Sequence, residues 1–151
     1  MGNSIKGVEL MQESVDLNKQ LYGESSSRVA LTYTTFSLIY QEIGRYADAE
    51  LVLQKAMAIQ KKIFGTKHPE YAMSLMNLAM VKTMQGGNEM AIDLLKESMN
   101  IYISKGLAGT SNFIKILSNL TFIVDKLGLY AEAKKLQLQT LGILDERKDT
   151  S

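Results

Sequence analysis

The strongest constraint on the fold is an internal repeat with a period of 42 residues. Gly44, Gly86 and Gly128 are 42 residues apart, and each is followed five residues later by an alanine, at positions 49, 91 and 133. Apolar residues keep the same spacing in other columns, among them Leu10, Val52, Leu94 and Leu136, and Leu17, Ile59, Ile101 and Ile143. Such a period predicts one supersecondary unit per repeat, stacked on its neighbours to bury a continuous core.

Each repeat is predicted to be a hairpin of two α-helices, because its apolar residues recur three and four positions apart. The predicted helices cover residues 5–22, 27–43, 46–64, 69–85, 88–104, 112–127 and 130–147. The chain is therefore expected to be all-α, with about seven helices and no sheet. Glycine suits the turns because the residue after a helix often takes a left-handed backbone, and the alanine lets the two helix axes approach.

The array is predicted to begin in the middle of a repeat. Residues 5–22 match the second helix of a hairpin, and three complete repeats follow at 27–64, 69–104 and 112–147. Since the first helix of the leading repeat is missing, we expect the chain to be a fragment of a longer solenoid.

Composition argues against several classes of protein. The 151 residues are 46% hydrophobic and 22% charged, with a net charge of +1, so no strong field attracts nucleic acid or an anionic membrane. The chain has no cysteine and a single histidine, His68, which is expected to be a linker residue at a helix start beside Pro69. We therefore expect no nucleic-acid or membrane partner, no metal, no cofactor and a cytoplasmic location.

Two segments resemble a known repeat. Residues 72–91, "AMSLMNLAMVKTMQGGNEMA", and 63–72, "IFGTKHPEYA", are similar to the 42-residue tetratricopeptide (TPR) repeats of kinesin light chains and nephrocystin-3-like relatives. The shared elements are Leu75, the Asn-Leu-Ala run at 77–79, the turn glycine, Ala91, and Gly65 followed by His68-Pro69 and Ala72. The resemblance covers about residues 5–147 and implies a right-handed superhelical α-solenoid of antiparallel helix pairs, with the first helices lining a concave surface.

The resemblance implies a non-catalytic scaffold or adaptor that binds a peptide segment of a partner protein in the concave groove. Motor–cargo or ciliary transport, with cytoskeletal or ciliary association, is the setting that the family suggests. The sequence supplies no nucleophile–base pair that spacing supports, so no enzymatic activity is expected. The alternative is a structural or self-associating segment of a larger solenoid, joined through exposed array ends and with no free peptide groove.

The family's carboxylate clamp for acidic chaperone tails is largely missing. The first repeat has Thr34 and Leu38 where the clamp uses Lys and Asn, and the third has Asn119 in place of Arg. Asn77 and Lys115 match the clamp. Because the missing residues would make the bidentate and ammonium contacts to a terminal carboxylate, chaperone-tail binding is not expected.

A methionine stripe on the first helix of the second repeat stands where a clamp would be. Met73, Met76, Met80 and Met84 share one helical face, and Leu38 and Phe122 hold the column of Met80. Flexible, polarizable methionines suit a surface that repacks against different side chains, but Met73 and Met76 are equally consistent with core between repeats. The predicted groove comprises Thr34, Leu38, Met73, Met76, Asn77, Met80, Met84, Lys115, Ser118, Asn119 and Phe122.

The polar residues near the predicted groove do not determine the charge of the peptide that would bind there. Asn77 and Asn119 either bind a peptide backbone or satisfy backbone groups between repeats. The kinesin-light-chain groove takes acidic peptides centred on Trp, and Lys82, Lys115 and Lys126 are the candidate cations for such a ligand. Asp125 and Glu42 are expected close to the same face, and Met76 stands where that family has an Asn, so an acidic preference does not follow.

Overall fold

A computed structural model describes residues 2–149 of the chain. These residues form seven α-helices and no strand: α1 (Gly2–Tyr22), α2 (Ser27–Glu42), α3 (Tyr46–Phe64), α4 (Pro69–Met84), α5 (Asn88–Ser104), α6 (Ser111–Lys126) and α7 (Tyr130–Asp149). The predicted all-α fold is confirmed. α1 begins three residues before its predicted start, and α6 begins one residue before.

The first helix of each hairpin begins at a side chain that caps it. Ser26, His68 and Thr110 occupy one column of the repeat, and each accepts a hydrogen bond from a backbone N–H of the first helical turn. For His68 the acceptor is Nδ1, at 3.2 Å from the Glu70 nitrogen. Pro69 follows at the first helical position, where its missing N–H costs no hydrogen bond. His68 therefore has the structural role expected for it.

The turns inside the hairpins require glycine. Gly44, Gly86 and Gly128 have φ angles of 75°, 88° and 76°, in the left-handed region that other residues adopt at a cost. This conformation reverses the chain within three residues, so the second helix of each hairpin returns along the first.

Packing follows the order of the chain. Each helix contacts the helix before it and the helix after it, and a further contact joins α4 to α6. The column alanines Ala49, Ala91 and Ala133 are 0%, 0% and 2% exposed and lie in the core, as close approach of the paired axes requires. The result is a linear stack of hairpins, with no helix among residues 2–149 long and apolar enough to cross a membrane.

Candidate partner-binding surface

The residues predicted to form the groove differ in exposure. Leu38, Met84, Lys115, Ser118 and Phe122 are exposed, whereas Thr34, Met73, Asn77, Met80 and Asn119 are partly buried. Leu38 and Phe122 are large apolar side chains on the first helices of the outer hairpins, α2 and α6. These two side chains are available to a partner.

Met76 is part of the core and does not line a free groove. Only 7% of it is exposed, and it belongs to the cluster of buried residues that includes Phe113 and Leu117 of α6. The same buried cluster also contains residues of α3 and α5, so Met76 lies among side chains of several helices. The assignment of Met76 to the groove is therefore corrected, and Met73 packs partly against the same cluster.

An open cavity is lined by the first half of α2, the end of α3 and the start of α4. This α2–α4 cavity has a volume of about 490 Å³, and Thr34 and Met73 of the predicted groove contribute to its lining. Leu31 and Phe64 add apolar walls, and Phe64 is held by stacking on His68 at a ring-centroid distance of 4.5 Å. The cavity can accommodate a large side chain.

A second open space, the α6–α7 cleft, has a volume of about 470 Å³ and is lined by Ser118, Thr121, Phe122, Asp125, Gln137, Thr140 and Leu141. Its lining corresponds, 42 residues earlier, to a surface of α4 and α5 that is mostly buried. Met76 and Leu95, for example, are the buried equivalents of Ser118 and Gln137. Because α6 packs on α4 and α5, the cleft is the position that a further helix would occupy.

A family model described as the tetratricopeptide repeat matches residues 1–62 and 52–104, which together exceed half of the chain. The chain belongs to the tetratricopeptide-repeat family. Among curated proteins, the chain is 24% identical over 129 residues to a clustered mitochondria protein homolog of Aspergillus niger, covering 85% of this chain. It is 24% identical over 141 residues to the homolog of Emericella nidulans, covering 92% of this chain. The chain spans only 10% and 11% of the length of these relatives.

Solved structures share the architecture of this tetratricopeptide-repeat array. A putative kinesin light chain of Podosopora anserina with nearly identical TPR-like repeats superposes with a TM-score of 0.77 at 21% identity, covering 97% of this chain and 69% of that chain. BtubC (BKLC) from P. vanneervenii gives a TM-score of 0.85 at 15% identity, covering 97% and 59%. These likenesses establish the all-α solenoid fold, which supports protein-interaction scaffolds in general.

Positive charge on the tetratricopeptide-repeat array is less available than its sequence suggests. Lys82 Nζ lies 2.6 Å from Glu50 Oε1, and both side chains are only 20% exposed. The hydrogen bond from Lys82 lowers the pKa of the Glu50 carboxyl, against the opposing effect of burial, and Gln85 adds a second hydrogen bond. Lys82 is therefore engaged within the protein, while Lys115 and Lys126 remain exposed.

Two polar residues of the α2–α4 cavity were not among the predicted groove residues. Gln60 and Ser74 are 5% and 1% exposed, and both line the cavity. A signal for them exists in the repeat frame, where Gln60 shares a column with Tyr102 and Leu144, and Ser74 shares one with Ile116. One repeat earlier the same positions hold Asn18 and Thr32, which are also polar. The chemistry of this joint, the contact between the second helix of one hairpin and the first helix of the next, therefore varies along the array.

Proposed function

We propose that this chain is a non-catalytic scaffold that binds a peptide segment of a partner protein along α2, α4 and α6. The observation that carries the proposal is the open, largely apolar α2–α4 cavity. One of its walls is α2, the helix that also carries the exposed side chain of Leu38. Apolar surface in a concavity is the usual anchor for a peptide side chain. The proposed contact residues are Thr34, Leu38, Met73, Asn77, Met80, Met84, Lys115, Ser118, Asn119 and Phe122.

The proposal places the scaffold in the cytoplasm, with motor–cargo or ciliary transport as its setting. The kinesin-light-chain name of one structural neighbour supports a motor-related partner, and the curated relatives' name points to the clustering of mitochondria. An adaptor that links an organelle to a motor protein would be consistent with both the kinesin-light-chain name and the clustered-mitochondria name. The repeat boundaries at 5–22, 27–64, 69–104 and 112–147 are part of the same proposal.

The decisive experiment selects peptides from a random display library on the folded chain and titrates the selected peptides against variants. Leu38→Glu places a carboxylate beside the anchor site. Burying one anchor side chain is worth about 1.5–3 kcal/mol, so binding should weaken by roughly ten- to a hundredfold.

Leu51→Glu is the matched control. Leu51 is 53% exposed, compared with 46% for Leu38, but it lies on the second helix of its hairpin. Its column holds Asp93 and Lys135 in the other repeats, so a charge is tolerated there. Peptide affinity should be unchanged in Leu51→Glu, with thermal melts confirming that both variants are folded. Equal losses in the two variants, or none in Leu38→Glu, would contradict the proposed groove.

A structural or self-associating segment of a larger solenoid is the second candidate. It is favoured by leucines exposed on the two terminal helices, Leu10 and Leu17 on α1 and Leu138 and Leu141 on α7. Sedimentation velocity over a wide concentration range tests it. Association that depends on concentration and disappears in Leu141→Glu would support this candidate over a free peptide binder.

A further inference from the structure

One exposed leucine of α7 departs from the repeat frame. Leu138 is 59% exposed, and the other repeats have exposed polar residues in its column, namely Gln12, Gln54 and Lys96. The frame therefore does not require an apolar side chain at this position. Leu141, which is 54% exposed, lies one turn further along the same face, so the two leucines form a continuous apolar patch. A patch of this kind is typical of a surface that another molecule covers.

The patch is the centre of a stripe with symmetric spacing. The stripe comprises Lys134, Leu138, Leu141 and Asp145, which are all exposed and follow one another at intervals of four, three and four residues. These intervals keep the four side chains on one face of α7 and are those of the seam between paired helices. The two leucines are thus flanked by a cation towards the start of the helix and by an anion towards its end.

A second α7 running in the opposite direction fits this stripe. With a twofold axis midway between Leu138 and Leu141, Leu138 faces the partner's Leu141, and Lys134 faces the partner's Asp145. Each of these contacts occurs twice. A parallel copy would instead set lysine against lysine and aspartate against aspartate, which is unfavourable. The charges therefore select the antiparallel direction.

Gly142 favours a close approach of the two helices. It lies one turn after Leu138 on an exposed part of α7, and a Cβ there would meet no atom within 4 Å. Glycine inside a helix is less favourable than alanine, and the packing of this chain leaves space for alanine at this position. A second helix lying against Gly142 accounts for a glycine that the chain's own packing does not require.

We propose that this face of α7 is the interface of a dimer, in which two copies of the chain pair through antiparallel α7 helices. The inference goes beyond the peptide-binding proposal and gives the second candidate, self-association, a defined partner surface and geometry. Because Leu141 also lines the α6–α7 cleft, the interface borders that opening. Two leucines from each copy make a small interface, so the dimer is weak and depends on concentration.

Sedimentation velocity over a wide range of concentrations tests the dimer. The wild-type chain should associate reversibly to a dimer and no further, because a twofold contact closes on itself. Leu138→Glu changes the interface twice and should weaken association by at least about a hundredfold. Leu17→Glu is the matched control, since Leu17 is 55% exposed on the other terminal helix, and this variant should associate as the wild type does.

Three results would overturn the inference. They are a monomer at every concentration, open-ended oligomers, and association that is lost in Leu17→Glu as much as in Leu138→Glu. The last of these would leave self-association standing but would place it on α1. Thermal melts check that the variants are folded. If Leu138→Glu does not fold, Leu138→Gln takes its place, because glutamine occupies this column in two other repeats, and undiminished association of folded Leu138→Gln refutes the interface.

The flanking charges test the register. Lys134→Glu places two anions at each flanking contact, and Asp145→Lys places two cations there. Each variant alone should therefore dimerise about three- to thirtyfold more weakly than the wild type at low salt. An equimolar mixture of the two variants restores opposite charges at both contacts and should recover wild-type association as a heterodimer. Single variants that dimerise like the wild type, or a mixture that does not recover, would refute the antiparallel register.

Peptide titrations separate this inference from the proposed function. No residue of α7 lines the α2–α4 cavity, so Leu138→Glu should leave the affinity of display-selected peptides unchanged. If peptides bind as expected but the chain stays monomeric, the dimer is refuted and the peptide groove stands. If the dimer forms as described but no peptide is selected, the dimer stands and the peptide-binding function fails.

Discussion

The alanine column offers the sharpest test of how the hairpins are held together. Ala49 is fully buried on α3, in a cluster with Tyr33, Phe36 and Tyr40 of α2. Ala49→Leu inserts three carbon atoms where the helices meet and forces them apart, which should destabilise the chain by about 1–3 kcal/mol. In a chain of this length each kcal/mol lowers the melting temperature by roughly 2–4 °C, so the expected decrease is roughly 2–12 °C.

Ala47→Leu is the control, because the same substitution is made two residues earlier on the same helix at an exposed position. Its effect should stay within about 0.5 kcal/mol. Urea denaturation followed by circular dichroism measures both variants, with an unchanged denaturant slope confirming that the comparison concerns stability. Equal midpoint shifts for Ala47→Leu and Ala49→Leu would refute the role assigned to the column.

Two further predictions concern the turn glycines and the ion pair. Gly86→Ala should lower the free energy of unfolding by about 1–2 kcal/mol, because φ is 88° at this residue, although a Cβ would meet no atom within 4 Å. Gly109 is equally open and has no positive φ, so Gly109→Ala is the control and should be neutral or slightly stabilising. Thermal melts measure both variants. Because the pKa of Glu50 is lower in the folded chain than in the unfolded chain, its ionised carboxylate stabilises the fold. This stabilisation is fully present above the pKa of the unfolded chain and is lost as the pH falls through the pKa of the folded chain. Lys82→Met should flatten this acid dependence of the urea midpoint, and an unchanged dependence would contradict the pairing.

The fold was predictable because the repeat fixes the faces of all seven helices at once. The period places Ala49 and its equivalents at close contacts and Gly86 and its equivalents at turns, and the structure has both. Helix ends were less certain, since apolar columns specify a face and not a boundary. The starts of α2, α4 and α6 depend instead on single capping side chains such as Ser26 and Thr110.

The candidate surface was harder to predict because exposure depends on the neighbouring hairpin. Met76 and Met84 share a helical face in the sequence, yet Met76 is buried in a cluster with residues of other helices while Met84 remains exposed. The pairing of Lys82 with Glu50 joins residues 32 positions apart, a distance at which spacing carries no signal. Only the stacked array determines which side chains are free.

The joints between hairpins explain how a repeated frame can carry a unique site. At each joint the frame requires a residue of the second helix to face one of the next first helix, but it does not specify their chemistry. Asn18 and Thr32 close the first joint by a hydrogen bond, and Tyr102 and Ile116 close the third by burial. Gln60 and Ser74, at the middle joint, form no such hydrogen bond, and both residues line the α2–α4 cavity. The chemistry of each joint can therefore differ without altering the period that folds the array.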